Sequence, residues 1–373
     1  MLSAAIFVIL REKSGDMRFL FAIVFLWTVA AAFAERVVVL DGEDGSALVG
    51  ATVFGQSGTI VGLTDADGSI EVVNPADFPL TVRCLGYETA SCRSGEGQVK
   101  LHPATYGLKE VLVVPVERPV VHLVCYIREY ISGVTGTDTI MNFNEHMGDF
   151  FVPVRKIKGF KAVLSPRFLR SRLYSRIADS SGRDSIFRPD CRDDTFAWEQ
   201  LMSMPKGKVD LGERMCGGAA ADTIMGKHGV KELLRRNGNN LTIKTDWLAD
   251  SKNHTMSPFF FKLLGLTIDL TELQTSWIVS PSDNCSYTAA DIVSGTFSVK
   301  VTGRGKWIRK AFHTDTPVEM YSFYEVYPMT TEYLTVEQAK DLLVNPPSPR
   351  IEVSPLAPDL SPAIRRLVEK AKK

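Results

Sequence analysis

From Glu35 to about residue 115 the chain alternates short apolar or β-branched runs with turn residues, and a helical period never establishes itself. The runs include RVVVLD, ATVFG, TIVGLT, SIEVV, LTVRCL, QVKL and LKEVLVV, separated by segments such as GEDGSALVG, DADG, NPADFP and GEG. Short strands at this spacing, punctuated by Gly, Pro, Asn and Asp, predict an antiparallel sandwich. Asp67-Gly68, between TIVGLT and SIEVV, is read as a tight hairpin turn because both residue types tolerate positive φ, with Asp65 accepting backbone hydrogen bonds inside it. A calcium loop of the EF-hand kind would need further oxygen ligands and a glutamate at the twelfth position, a pattern that Ser69 and Ile70 break. At Gly86 a bend is expected, with the Tyr87 ring covering an end of the core.

Beyond the linker VPVERPV (114–120), apolar Val120, Leu123, Val124, Ile127 and Ile131 recur at helical spacing, so VVHLVCYIREYI is read as an amphipathic helix, with a strand as the alternative. GVKELLRRN is also read as a helix. NLTIKTDWL, LTIDL, TSWIVS, GTFSVKVTGRGKWIRKAF and EMYSFYEVYPM are read as strands, with GRGKW as a hairpin turn. Thr335 with Gln338 forms a capping box opening a helix to about Val344, and Ser361-Pro362 opens a terminal helix after a proline-rich tail. The expected class is mainly β with some α: a sandwich over 35–115, an α+β region rich in antiparallel strands over 116–345, and the tail with its helix over 346–373.

Composition changes the picture at three places. Residues 17–34 carry Arg18, an uncharged apolar stretch and a small-x-small ending at Ala32-Phe33-Ala34, the pattern of a secretory signal cleaved after Ala34. Residues 1–34 are therefore assigned to a signal peptide, with translation starting at Met1 or at Met17. Export would allow the six cysteines to oxidise in any of about 15 pairings. Cys84 and Cys92 lie too far apart to pair if they share one extended strand, and the cysteines show no C-x-x-C spacing for zinc or redox chemistry. The chain has 43 basic and 43 acidic residues, so no global field draws it to nucleic acid.

Residues 38–53 (VLDGEDGSALVGATV with its flanks), TDADGSI (64–70), LGYET (85–89) and LKEVLVV (108–114) together resemble the carboxypeptidase regulatory-like domain. That resemblance implies a seven-strand transthyretin-like sandwich and a non-catalytic module. It also implies a setting in the Gram-negative envelope, where such domains stand at the N-termini of TonB-dependent outer-membrane transporters. Ser69-Ile70 departs from the family, where an aromatic commonly follows Asp-Gly. YIREYI and YEVYPMTTEYLT faintly resemble the region after this domain in some envelope proteins, which brings no chemistry.

Local chemistry is sparse. Glu145, His146 and Asp149 in EHMGD form the one cluster suited to an acid–base or metal role; on a helix His146 and Asp149 would share a face, whereas on a strand they would point oppositely. His313 and Asp315 are read as a surface turn. Between 151 and 176 there are eight basic residues and no acidic one: Arg155, Lys156, Lys158, Lys161, Arg167, Arg170, Arg172 and Arg176. Interleaved aromatics would suit nucleic acid, which export disfavours; a solvated basic face, or contact with phosphate-bearing lipid or an acidic partner, is expected instead. Asp179, Asp184, Asp190, Asp193 and Asp194 follow and offset it.

No G-x-S-x-G, His-Glu-x-x-His or Walker pattern occurs in the chain. The expectation is a non-catalytic exported protein of the periplasm or outer membrane, without cofactor or metal, without nucleic acid, and without a membrane span once the leader is removed. Its sandwich would dock or space and its second region would bind an envelope partner or lipid. The alternative is a hydrolase or metal-dependent enzyme in the second region.

Overall fold

The computed structural model describes residues 34–104, 117–135, 138–179, 181–189, 201–250, 267–281, 285–306 and 316–373. Residues 1–33 of the leader, the run 108–114, and His313 with Asp315 lie outside them. The class is mainly β, as expected.

Strands β1 (Glu35–Asp41), β2 (Thr52–Phe54), β3 (Ile60–Leu63), β4 (Ser69–Val72), β5 (Leu80–Arg83), β6 (Ala90–Cys92) and β7 (Gln98–Leu101) form two sheets, ordered β4-β1-β7 and β3-β2-β5-β6. Their inward residues, among them Val37, Val39, Val53, Ile70, Leu80, Val82 and Leu101, share one core. Alternate positions of each short strand supply it, which is the period-two pattern visible in the sequence. The Asp-Gly segment is a turn, but not a hairpin. It carries the chain from β3 in one sheet to β4 in the other, so the two runs around it never pair. Gly68 adopts φ +75°, and Asp65 Oδ1 accepts from the Ser69 amide at 2.9 Å. Asp67 Oδ1 accepts from the same amide at 3.0 Å and its other oxygen pairs with Arg36, so both carboxylates serve the turn and its anchoring.

The rest of the chain builds one ten-stranded antiparallel sheet ordered β11-β10-β9-β8-β19-β18-β16-β15-β14-β13. The chain starts at its centre with β8 (Val120–Thr135) and runs outward through β9 (Asp138–Pro153), β10 (Val163–Ala178) and β11 (Asp184–Phe187). A crossover containing β12 (Val209–Asp210) and α1 (Gly212–Cys216) leads to the far edge at β13 (Ala221–Met225). The chain then returns inward through β14 (Val230–Asn237), β15 (Asn240–Asp246), β16 (Thr267–Val279), β18 (Ile292–Arg304) and β19 (Val318–Leu334), which closes against β8. β17 (Ser286–Tyr287), between β16 and β18, pairs with β12. Residues 267–270 of LTIDL and 275–279 of TSWIVS thus belong to one strand, bulged between Leu270 and Glu272.

Two expected helices are strands. Residues 120–133 of β8 are buried except for half-buried Val124, because both faces of this central strand are covered. A strand buried on both sides shows no polar alternation, and its scattered apolar residues imitate a helical period. In β14, the helix-favouring Glu-Leu-Leu-Arg-Arg is overridden by ladders to β13 and β15.

One face of the sheet carries Leu123, Ile127, Phe150, Leu241, Trp277, Phe297 and Val326, covered by Met202, Met204, Leu211 and Met215 of the crossover. That cover is fastened by the β12–β17 ladder and by a disulfide between Cys216 and Cys285. Among the described residues, Cys84, Cys92 and Cys125 take no part in a disulfide.

The opposite face is covered by the sandwich and the tail. Phe54 and Ile60 of the sandwich join Tyr130, Phe143 and Phe323 of the sheet and Ile364, Leu367 and Val368 of helix α3 (Pro362–Ala371) in a shared core. Helix α2 (Val336–Val344) has the Thr335/Gln338 capping box, and Ser361 caps α3 as its sequence suggests.

Candidate functional site

Strand pairing brings together residues that no sequence motif joins. In register across β15, β16, β18, β19, β8, β9 and β10, the directly opposed residues are Lys244, Ser276, Thr296, Glu325, Arg128, Glu145 and Arg172. Opposed residues share a face, so they form one polar row beneath the sandwich. Its centre is buried: Arg128, Glu145 and Glu325 are at most 6% exposed.

Arg83 reaches into this row from β5. Its Nη1 donates to the Tyr130 hydroxyl at 2.8 Å and to Glu325 at 3.2 Å, while the Tyr130 hydroxyl donates to Glu325 Oε2 at 3.1 Å. Arg128 Nε donates to the Tyr126 hydroxyl at 3.1 Å, which donates to Glu145 Oε1 at 2.6 Å. Both arginines also hold the tail, Arg83 through the Asp359 carbonyl at 2.9 Å and Arg128 through the Pro358 carbonyl at 2.5 Å. Burial alone would lower both arginine pKa values, but the neighbouring Tyr130 and Glu325 outweigh it and raise them. Burial likewise pushes the Tyr130 hydroxyl up to about 12. The two cations and two carboxylates compensate each other, which is the condition for burying them.

Beside this network lies a cavity of about 920 Å³. Its floor is the sheet, with Thr242, Lys244, Ser276 and Thr296; its wall is the sandwich, with Thr52, Thr81, Arg83 and Cys84; and tail residues 355–362 bound it. A volume in the range of small-molecule sites is thus formed by three separate stretches of the chain.

The sequence-derived candidates are separated. Glu145, His146 and Asp149 all lie on β9, where alternation sends His146 to one face and Glu145 and Asp149 to the other. Glu145 belongs to the polar row. Asp149 is bound by Arg167, at 2.8 Å from Nε and 2.6 Å from Nη2, and by His122 at 3.2 Å. Burial opposes its ionisation, but the His122 and Arg167 contacts prevail and hold its pKa below the ordinary value. His146 instead lies 2.7 Å by Nδ1 from the Ser171 hydroxyl and 3.2 Å by Nε2 from Glu129, which also accepts from Asn144 at 2.8 Å and from Tyr324. Its ring stacks on Phe168 with centroids 4.0 Å apart. Among the described residues, no group of three or more His, Cys, Asp or Glu side chains is arranged to hold a metal ion.

The basic segment also divides. Arg155, Lys156, Lys158 and Lys161 are exposed on the β9–β10 connection. Arg167 is committed to Asp149, Arg170 donates to Ser348 at 3.1 Å, Arg172 faces Glu145, and Arg176 pairs with Asp184 at 2.9 Å. Asp190, Asp193 and Asp194 lie outside the described residues.

Sequence reasoning missed Arg83, Arg128, Glu325, Lys244, Glu129 and Ser171. The one local signal is ionised residues inside apolar runs, such as Arg128-Glu129 in CYIREYI, since charges there imply buried partners.

No helix among the described residues is long and apolar enough to cross a membrane. No protein-family model matches this chain, and no curated protein matches it. Among solved structures it is similar to one described as "lipid-protein interactions in lipovitellin", at 10% identity over 59% of this chain and 26% of that chain, with a TM-score of 0.30. The chain therefore spans about a quarter of that protein's length.

Proposed function

We propose that this chain is an exported, non-catalytic envelope protein whose ligand site is the cavity beneath the sandwich. The observation that carries the reading is that cavity of about 920 Å³, bounded by sandwich, sheet and tail. The charges of the network beside it are spent on one another and on the tail, an arrangement that holds a shape and leaves little for bond-making. The sandwich is then a wall of the site and not a free spacer. Export is supported by the leader pattern at residues 17–34 and by the Cys216–Cys285 disulfide, which suits an oxidising compartment. The resemblance of residues 38–114 to the carboxypeptidase regulatory-like domain points to the same setting, and the exposed Arg155, Lys156, Lys158 and Lys161 suit a phosphate-bearing lipid surface. Protein isolated natively from the envelope fraction and then denatured should release a small molecule in near-stoichiometric amount, read by mass spectrometry. A cytosolic location, or native protein that releases nothing, contradicts the reading.

A second reading is favoured by one observation, the Ser171–His146–Glu129 contacts, which have the residue types of a nucleophile, base and orienting acid. A fluorophosphonate probe that labels wild type but not Ser171→Ala would favour a hydrolase. An unlabelled Ser171 would reject it.

A further inference from the structure

Within the polar row every charge from Glu325 to Arg172 has an opposite charge beside it: Glu325, Arg128, Glu145 and Arg172 alternate in sign on adjacent strands. Lys244 breaks the rule. Its neighbours in the row are Leu233 on one side and Ser276, then Thr296, on the other. Glu325 follows three strands away, roughly 14 Å at the usual inter-strand spacing. The Lys244 Nζ is buried and has no hydrogen-bond partner. It sits against the backbone of Gly50 so closely that a Cβ there would overlap it. Burial lowers the pKa of the amine, with Cys84, Glu272 and Asp246 acting the other way.

The cavity lies over this interruption. Lys244, Ser276 and Thr296 all border it, so the buried ammonium that lacks a hydrogen-bond partner lies in the same wall as two hydroxyls. The other lining cations are already engaged: Arg83 by Glu325, Arg235 by Asp41 and Asp44, and Arg236 by the Met215 carbonyl at 3.2 Å. Carboxylates of Glu43, Glu88 and Asp359 also border the cavity, but they are solvent-exposed. Solvated charges count for little against a desolvated one, because the effective dielectric around them is several-fold higher. A buried ammonium without a hydrogen-bond partner is costly, and an anion beside Lys244 removes that cost.

We propose that the cavity binds a small anionic ligand whose carboxylate or phosphate group is received by the Lys244 ammonium, with the Ser276 and Thr296 hydroxyls beside it. The proposal rests on the binding reading above and adds the chemical class of the ligand. The neutral hydroxyls of Thr52, Thr81 and Thr242 then serve the uncharged part of the same molecule.

Thermal unfolding of the full chain, at matched ionic strength, tests it with inorganic phosphate, succinate and glucose as probes. Phosphate or succinate should raise the wild-type Tm by roughly 2–5 °C at saturating concentration, glucose should not, and Lys244→Met should lose the shift. In plain buffer Lys244→Met should unfold no lower than wild type, since methionine fills similar space without a charge. Lys244→Gln replaces it should the methionine variant fail to fold. Equal shifts in wild type and variant, or no shift with either anion, overturn the proposal. A neutral molecule recovered from native protein overturns it too while leaving the binding reading intact, whereas native protein that releases nothing strikes the binding reading itself.

Discussion

Arg83 on the sandwich and Glu325 at the centre of the large sheet form a buried ion pair at 3.2 Å across 242 residues of sequence. Both side chains are about 5% exposed. Neither partner could be left in that position alone, because an unpaired buried charge costs several kcal/mol. The pair therefore fixes how the sandwich sits on the sheet, and with it the shape of the cavity between them.

The tail belongs to the same unit. Ile364, Leu367 and Val368 are buried in the core shared with Phe54 and Tyr130. Deleting residues 346–373 should cost about 5 kcal/mol or more, from three large apolar side chains at about 1.5–3 kcal/mol each. Urea unfolding measures the loss, and raised binding of a hydrophobic dye would report the uncovered sheet face.

Asp149 gives an acid dependence of definite sign. Its folded pKa lies below the ordinary value of 3.8, so its contribution is present above pH 3.8 and is lost as pH falls through the folded value. Asp149→Asn should lower stability at pH 7 by about 2–3 kcal/mol, from charged hydrogen bonds lost to Arg167 and His122. The gap to wild type should narrow as unfolding is followed downward from about pH 4.

Reduction should loosen the cover of the apolar sheet face. Cys216 and Cys285 close a loop of 69 residues, worth about 4 kcal/mol by chain entropy. A Cys216→Ser, Cys285→Ser double variant should show that loss in urea unfolding, and reductant should then have no further effect on it.

The basic connection between β9 and β10 should govern contact with anionic membranes. Replacing Lys156, Lys158 and Lys161 together by Gln removes about 1 kcal/mol each near such a surface, on the order of a hundredfold in all. Co-sedimentation with anionic phospholipid vesicles at low salt should fall accordingly, and binding to zwitterionic vesicles should not change.

What the sequence showed was set by how local each signal is. The strand runs of residues 35–101 alternate over a few residues and punctuate themselves with Gly and Asp, so they are readable, as are the Thr335/Gln338 box and the Ser361 cap. The β8 strand was misread because its polar side chains, Arg128 and Glu129, are buried on opposite faces and leave no solvent-facing period. The direction of the chain at Asp67-Gly68 was also hidden: a turn's residues fix its local φ, not which sheet the next strand enters. The polar row lay furthest from reach. Lys244, Ser276, Thr296 and Glu325 become neighbours only through the registers of four strands, and His146 finds Ser171 and Glu129 in the same way.

Sandwich and sheet are one folded body bounding the cavity, held by the Arg83–Glu325 pair. A double-mutant cycle with Arg83→Met and Glu325→Gln, read by urea unfolding, tests it most directly. The expected coupling energy is about 2–4 kcal/mol within a single unfolding transition. Coupling below about 0.5 kcal/mol, with the sandwich and the sheet unfolding in separate steps, would contradict it.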